Sequence, residues 1–199
     1  MLRGSADPGF DAEIREHLEA TQTLTEKVFL DKIEQAAAMI IDTINNGKKL
    51  LLFGNGGSAS DAQHIAAEFT GRYVRARRGL PAIALTTDTS ALTAIGNDYG
   101  FAAVFARQVE ALAQEGDLVI GISTSGNSEN VVAGLFEAKN RGCRLIGLSG
   151  ADGGMVSVIC DVTLNVNSKV TARVQEMHIL VGHLLCSATD RMFAPADKP

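Results

Sequence analysis

Residues 50–69, LLLFGNGGSASDAQHIAAEF, constrain the fold of this chain more than any other stretch. An apolar run, Leu50–Phe53, stops at a glycine-rich loop, Gly54-Asn55-Gly56-Gly57-Ser58, and the loop opens into a segment with helical spacing. The order reads as a buried strand, a tight turn and a helix N-terminus. Free backbone N–H groups and the helix dipole make such a start attractive to anions, phosphate among them. Similar turns occur in α/β proteins that bind nothing there, and this one fits neither G-x-G-x-x-G with a downstream acid nor G-x-x-x-x-G-K-[ST]. His64 and Glu68 follow, four residues apart and so stacked on one helix face. An imidazole and a carboxylate so placed can hold a metal ion or move protons. They can equally form a surface pair worth about 0.2–0.5 kcal/mol.

The same alternation continues along the chain. Strands are predicted at 49–53, 82–85, 118–122, 144–148 and 162–166, with helices at 58–71, 90–95, 101–113, 127–141, 152–159 and 171–193. Short apolar strands alternating with helices predict an α/β fold with a parallel five-stranded sheet covered on both faces, a three-layer sandwich. Ligands in such folds bind beyond the carboxyl ends of the strands. Residues 11–47 precede this pattern and read as helical, with Leu18, Leu24, Val28, Phe29, Ile33, Ala36 and Ile40 at helical spacing, a break near 21–25 and an end at Asn45-Asn46-Gly47. The apolar stripe there is wide, which suggests packing between subunits or simply an ordinary core. The expected organisation is a disordered leader over 1–10, a helical oligomerisation segment over 11–47, the main domain over 48–193 and a tail over 194–199.

With 199 residues, 46% of them hydrophobic, the chain can bury a substantial core. A formal net charge of −5, few aromatics and no Trp argue against a dedicated nucleic-acid binder. Arg72, Arg75, Arg77 and Arg78 are a local exception, read as a solvated loop, or alternatively as a rim attracting phosphorylated substrates or another subunit. Cys143, Cys160 and Cys186 form no C-x-x-C pair and sit in apolar contexts, which suits buried thiols in a reducing cytoplasm. No apolar run is long enough for a transmembrane helix, and MLRGSADPGF lacks an apolar signal core. No membrane or nucleic-acid partner is expected.

Three further clusters carry chemistry. In Gly121-Ile122-Ser123-Thr124-Ser125-Gly126-Asn127-Ser128, hydroxyls at 123, 124, 125 and 128 follow a strand and precede a helix. One such residue suffices for an N-cap; four in six positions favour a phosphate site that needs no Lys or Arg. Thr86-Thr87-Asp88 also follows a strand, and Asn97-Asp98-Tyr99-Gly100 reads best as a turn, whose amide and carboxylate could bond sugar hydroxyls if they face a pocket. The last helix carries Gln175, Glu176, His178 and His183; Gln175 and His183 share roughly one face, yet spacing alone does not choose between the histidines.

GNGGSASDAQHIAAEF, LPAIALTTDTSALTAIGNDYGF, GISTSGNSENV and VQEMHILVGHLLC, in this order, resemble the sugar isomerase (SIS) domain and, more fully, the phosphoheptose isomerases, also called sedoheptulose-7-phosphate isomerases. The resemblance covers about residues 30–190. It implies a flavodoxin-like SIS fold and a cytoplasmic homotetramer with active sites between subunits. The implied reaction converts D-sedoheptulose 7-phosphate to D-glycero-D-manno-heptose 7-phosphate through an enediol, the first step of heptose synthesis for lipopolysaccharide or other surface glycans. By motif, Ser123, Thr124, Ser125 and Ser128 would hold the phosphate; Asn55, Gly56, Gly57, Asn97 and Asp98 would hold the sugar, with Gln175 beside it. His64, Glu68, Gln175 and His183 match the zinc ligands of several members, one ion per subunit, which selects His183 over His178; no nucleotide cofactor is implied. Glu68 is assigned as the base and His183 as the acid. The chain departs from the family where Asn167–Arg173 lacks a proline common before the last helix, and where Glu129 replaces another.

A non-catalytic SIS module, binding a phosphosugar or a protein such as a replication initiator, is the competing expectation; it would have no chemical need for His64, Glu68, Gln175 and His183 together. An SIS transcription regulator would need a helix-turn-helix region, for which the N-terminal segment is too short and too acidic.

Overall fold

A computed structural model of the chain describes residues 9–195. Two helices, α1 (Phe10–Thr23) and α2 (Lys27–Asn45), precede β1 (Leu50–Gly54) and α3 (Gly57–Thr70). Then follow β2 (Ala82–Ala84), α4 (Thr89–Tyr99), a 3₁₀ turn over Phe101–Ala103, α5 (Val104–Leu112), β3 (Leu118–Ser123) and α6 (Glu129–Asn140). The chain closes with β4 (Arg144–Gly150), α7 (Gly154–Ile159), β5 (Val162–Val166) and α8 (Thr171–Phe193). Of the expected leader, residues 1–8 lie outside the described range and Phe10 opens α1; of the expected tail, 196–199 lie outside it.

All strand pairs are parallel, in the order β2-β1-β3-β4-β5. This is the flavodoxin-like arrangement, in which the chain reverses its direction of growth between β1 and β3 and ligands bind at that switch point. The register aligns Gly54 with Ile122 and Ser123 with Ser149, so the glycine loop after β1 and the serine loop after β3 leave the same edge side by side.

Burial decides where β1 sits. Leu50, Leu51, Leu52 and Phe53 have no solvent exposure, and each such side chain contributes about 1.5–3 kcal/mol. Leu50 and Leu52 join one core with Ile40 of α2, Ile65 and Phe69 of α3, and Met177 and Val181 of α8. Leu51 and Phe53 join the other with Phe105 of α5, Leu135 of α6 and Val156 of α7. Alternation across two covered faces explains why the strand reads as a continuous apolar run. Helix α1 lies outside this sandwich on α8, where His17 Nδ1 and Glu176 Oε2 are 2.8 Å apart. Its outer face shows Phe10, Ile14 and Leu18 at four-residue intervals, all more than 60% exposed.

Candidate active site at the carboxyl edge of the sheet

The glycine loop is fixed from two sides. Gly56 is the residue before α3, at φ 56°. Gly57, the first residue of α3, packs so closely on α8 that a Cβ there would lie 2.5 Å from Gln175 Nε2; only glycine lets that side chain rest over the helix start. The Asn55 side chain turns the other way. It exchanges two hydrogen bonds with the buried Asn130 of α6, Asn55 Nδ2 donating at 2.8 Å and Asn130 Nδ2 at 2.9 Å.

The serine loop is built as a hydroxyl cluster. Ser123 Oγ lies 2.9 Å from Ser128 Oγ and 3.4 Å from Ser125 Oγ, and it accepts from the Ser128 N–H at 3.4 Å. Gly126, at φ 67°, turns the loop against the Gly153 carbonyl, where a Cβ has no room. From behind, Ser149 Oγ donates to Ser123 O at 3.0 Å, and Asn127 Oδ1 accepts from the Met155 N–H at 3.0 Å. The hydroxyls therefore sit on a braced backbone at the start of α6, where an anion is favoured. A cleft of about 890 Å³ opens beside Thr124 and Ser125 and runs to the segment before α8, with Lys169 on its wall. Lys169 received no role from the sequence; a cation placed between a hydroxyl-rich turn and the last helix is the signal that could have found it.

The candidate reactive side chains come from α3 and α8, which pack together. His64 Nε2 lies 3.4 Å from Glu68 Oε1 and 3.1 Å from His183 Nε2, so residues 64, 68 and 183 meet at one nitrogen. Tyr73 stacks on His183 with ring centroids 5.3 Å apart. The two histidines of α8 point in different directions. His178 is fully buried against the sheet, its Nε2–H donating to Ser149 O at 3.1 Å, while Nδ1 has no partner. Burial pulls the His178 pKa down to about 4 despite that hydrogen bond. It is a neutral brace under the serine loop, and His183 is the histidine that faces α3. Asp61, one turn before His64, is pushed up to about 6 by burial, against the pull of His64. Among the described residues, no three or more His, Cys, Asp or Glu side chains already surround a point as a bound metal requires.

Two sequence expectations are corrected here. Asn97 and Asp98 lie in the last turn of α4, not in a turn outside it, and Asn97 Nδ2 donates to Asp98 Oδ1 at 2.8 Å. Asp88 Oδ1 caps the start of this helix by accepting from the Ala91 N–H at 2.9 Å, and the helix ends only at Gly100, whose φ is 84°. The arginine run is not wholly solvated either: the Arg77 side chain is fully buried in an ion pair with Asp190 at 2.7 Å.

The SIS domain family matches residues 10–150 of the chain. Among relatives, the phosphoheptose isomerase of Campylobacter concisus is 58% identical over 182 residues, covering 90% of this chain and 96% of the relative. That of Nitratiruptor sp. is 56% identical over 183 residues, covering 92% and 97%. The solved structure of phosphoheptose isomerase from Neisseria gonorrhoeae superposes with a TM-score of 0.81 at 48% identity, covering 92% and 95%.

Proposed function

The chain belongs to the phosphoheptose isomerases of the SIS domain family, and from that premise we propose that it converts D-sedoheptulose 7-phosphate to D-glycero-D-manno-heptose 7-phosphate at the junction of α3, α8 and the serine loop. The observation that carries this reading is the approach of residues 68 and 183 to His64 Nε2, at 3.4 and 3.1 Å, beside a loop suited to a phosphate.

In this reading the phosphate sits on the hydroxyls of Ser123, Thr124, Ser125 and Ser128, and the N–H groups opening α6 share its charge. The backbone of Asn55, Gly56 and Gly57 supports the sugar chain with Gln175, and Asn97 and Asp98, on α4, are assigned to its hydroxyls by motif alone. The Glu68 carboxylate takes the proton from C1 of the ketose and returns it to C2. His183 gives a proton to the C2 oxygen as the enediol forms and collects the one leaving the C1 hydroxyl. The proton thus changes carbon with no net redox change.

Imidazole nitrogen and carboxylate oxygen are donors that zinc accepts, and His64 lies within 3.4 Å of both Glu68 and His183, although the three side chains do not already surround a common point. His64, Glu68, Gln175 and His183 would hold one ion per subunit. Bound zinc would polarise the sugar carbonyl as a Lewis acid. A tight bond from Glu68 to the ion would occupy the lone pairs that the base needs, so the two roles compete. The exposed stripe Phe10, Ile14 and Leu18 supports assembly of a homotetramer with sites at subunit contacts. No helix among the described residues is long and apolar enough to cross a membrane. With free, buried or half-buried cysteines whose thiols burial pushes up to about 11–12, this suits a cytoplasmic place in heptose synthesis for lipopolysaccharide or other surface glycans.

The test is isomerase activity on sedoheptulose 7-phosphate with and without a chelator. Activity that withstands metal removal ends the catalytic-zinc role alone. Absence of turnover, with retained binding of the phosphosugar, replaces the enzyme reading with a binding module.

A further inference from the structure

Arg77 lies in the connection between α3 and β2, yet its side chain is 0% exposed. Its guanidinium is used on every side. Nη2 donates to the carbonyl of Glu68 at 2.8 Å; Nη1 donates to Phe69 O at 2.9 Å, Arg78 O at 3.1 Å and Gly71 O at 3.4 Å; Nε donates to Asp190 Oδ1 at 2.7 Å. The other oxygen of Asp190 accepts from the Val74 and Arg75 N–H groups, both at 2.8 Å. The last carbonyls of a helix have no partners within it, and a cation there is favoured by the dipole.

The place of these contacts is informative. One carbonyl capped by Arg77 belongs to Glu68 itself. Asp190 is on α8, seven residues and about two turns beyond His183. Val74, held by Asp190, follows Tyr73, whose ring stacks on His183. One buried ion pair therefore grips the backbone of Glu68, the helix that carries His183 and the aromatic ring against it. Burying such a pair costs more desolvation than an apolar filling would, so its stability contribution alone is a weak reason for it.

We propose that Arg77 and Asp190 are positioning residues for the isomerisation, setting the spacing of Glu68 and His183 by clamping the end of α3 to α8. This rests on the assignment of Glu68 and His183 as base and acid. Displacements of about 1 Å at reacting groups can cost about 100-fold in rate, whereas none of the clamp's hydrogen bonds described above goes to the serine loop that would hold the phosphate.

The experiment is steady-state isomerase kinetics on Arg77→Lys and Asp190→Asn, each alone and combined with Glu68→Gln, under conditions where circular dichroism shows folded protein. Arg77→Lys keeps the charge but cannot span the α3 carbonyls. Asp190→Asn keeps an acceptor for the two N–H groups, and it serves should the lysine variant fail to fold. The clamp predicts kcat lower by about 10–100-fold with KM within about 3-fold, and no more than about 2-fold further loss when Glu68 is already Gln. Unchanged kcat in both single variants, or losses that multiply fully with Glu68→Gln, overturns it. Wild-type activity in Glu68→Gln instead overturns the base assignment, and the clamp's catalytic role with it.

Discussion

His64 and His183 face each other through their Nε2 atoms across 3.1 Å, although 119 positions separate them in the chain. Their rings meet edge to face, with centroids 5.0 Å apart. One imidazole nitrogen must carry the hydrogen for the other to accept. This contact joins α3 and α8 into one continuous surface that carries the proposed acid and base.

Removing either proposed proton carrier tests that surface. Glu68→Gln and His183→Ala should each lower kcat by about 10²–10⁴-fold, the usual worth of a general acid or base, with little change in KM. Initial rates on sedoheptulose 7-phosphate check it; undiminished rates in both variants would reassign the chemistry.

The serine loop should behave differently. Ser128→Ala removes a hydroxyl 2.9 Å from Ser123 Oγ. A hydrogen bond to a charged group is worth about 1.5–3 kcal/mol, so KM should rise roughly 10–100-fold while kcat stays within a few-fold. Competition by inorganic phosphate should weaken in parallel, and a pure kcat effect would place the phosphate elsewhere.

His178 gives a pH prediction with a definite sign. Its pKa falls from 6.5 to about 4 on folding because burial disfavours the charged ring. The unfolded chain then binds the proton first, so this group's share of stability is complete above pH 6.5 and is lost as pH falls toward 4. The loss is on the order of 3 kcal/mol. Asp61, raised to about 6, contributes with the opposite slope. The measurement is therefore the difference between wild type and His178→Gln in denaturant unfolding at pH 7 and pH 4.5. The wild type should lose the extra stability; parallel curves would show that the buried ring titrates normally.

Much of this was legible in the sequence. Leu50–Phe53, the glycine loop and the hydroxyl loop gave their places because each rests on local pattern: an apolar run, a tight turn, a helix start. What escaped depends on distant partners. Arg77 among neighbouring arginines looks solvated until Asp190, 113 positions away, is beside it. His178 and His183 carry the same chemistry on one helix; spacing does not separate them, the motif resemblance selects His183, and the packing of α8 between the sheet and α3 turns the two rings to different sides. Asn97 and Asp98 have turn-forming side chains, but the cap at Asp88 and the length of α4 override that preference.

The exposed stripe of α1 makes the last prediction. Ile14→Glu places a charge in the middle of an apolar row whose partner would be another copy of the chain. A homotetramer joined through this stripe, as proposed, should dissociate at least 10-fold more readily, since burying such a side chain is worth about 1.5–3 kcal/mol. Sedimentation velocity reads the change, and an unaltered profile would put the subunit contact on another face.

The reciprocal amide bonds between Asn55 and Asn130 couple the glycine loop to α6, the helix launched by the serine loop. Separating the two loops must break both hydrogen bonds, so a sugar held by its phosphate on the serine loop would meet a glycine loop anchored to the same helix.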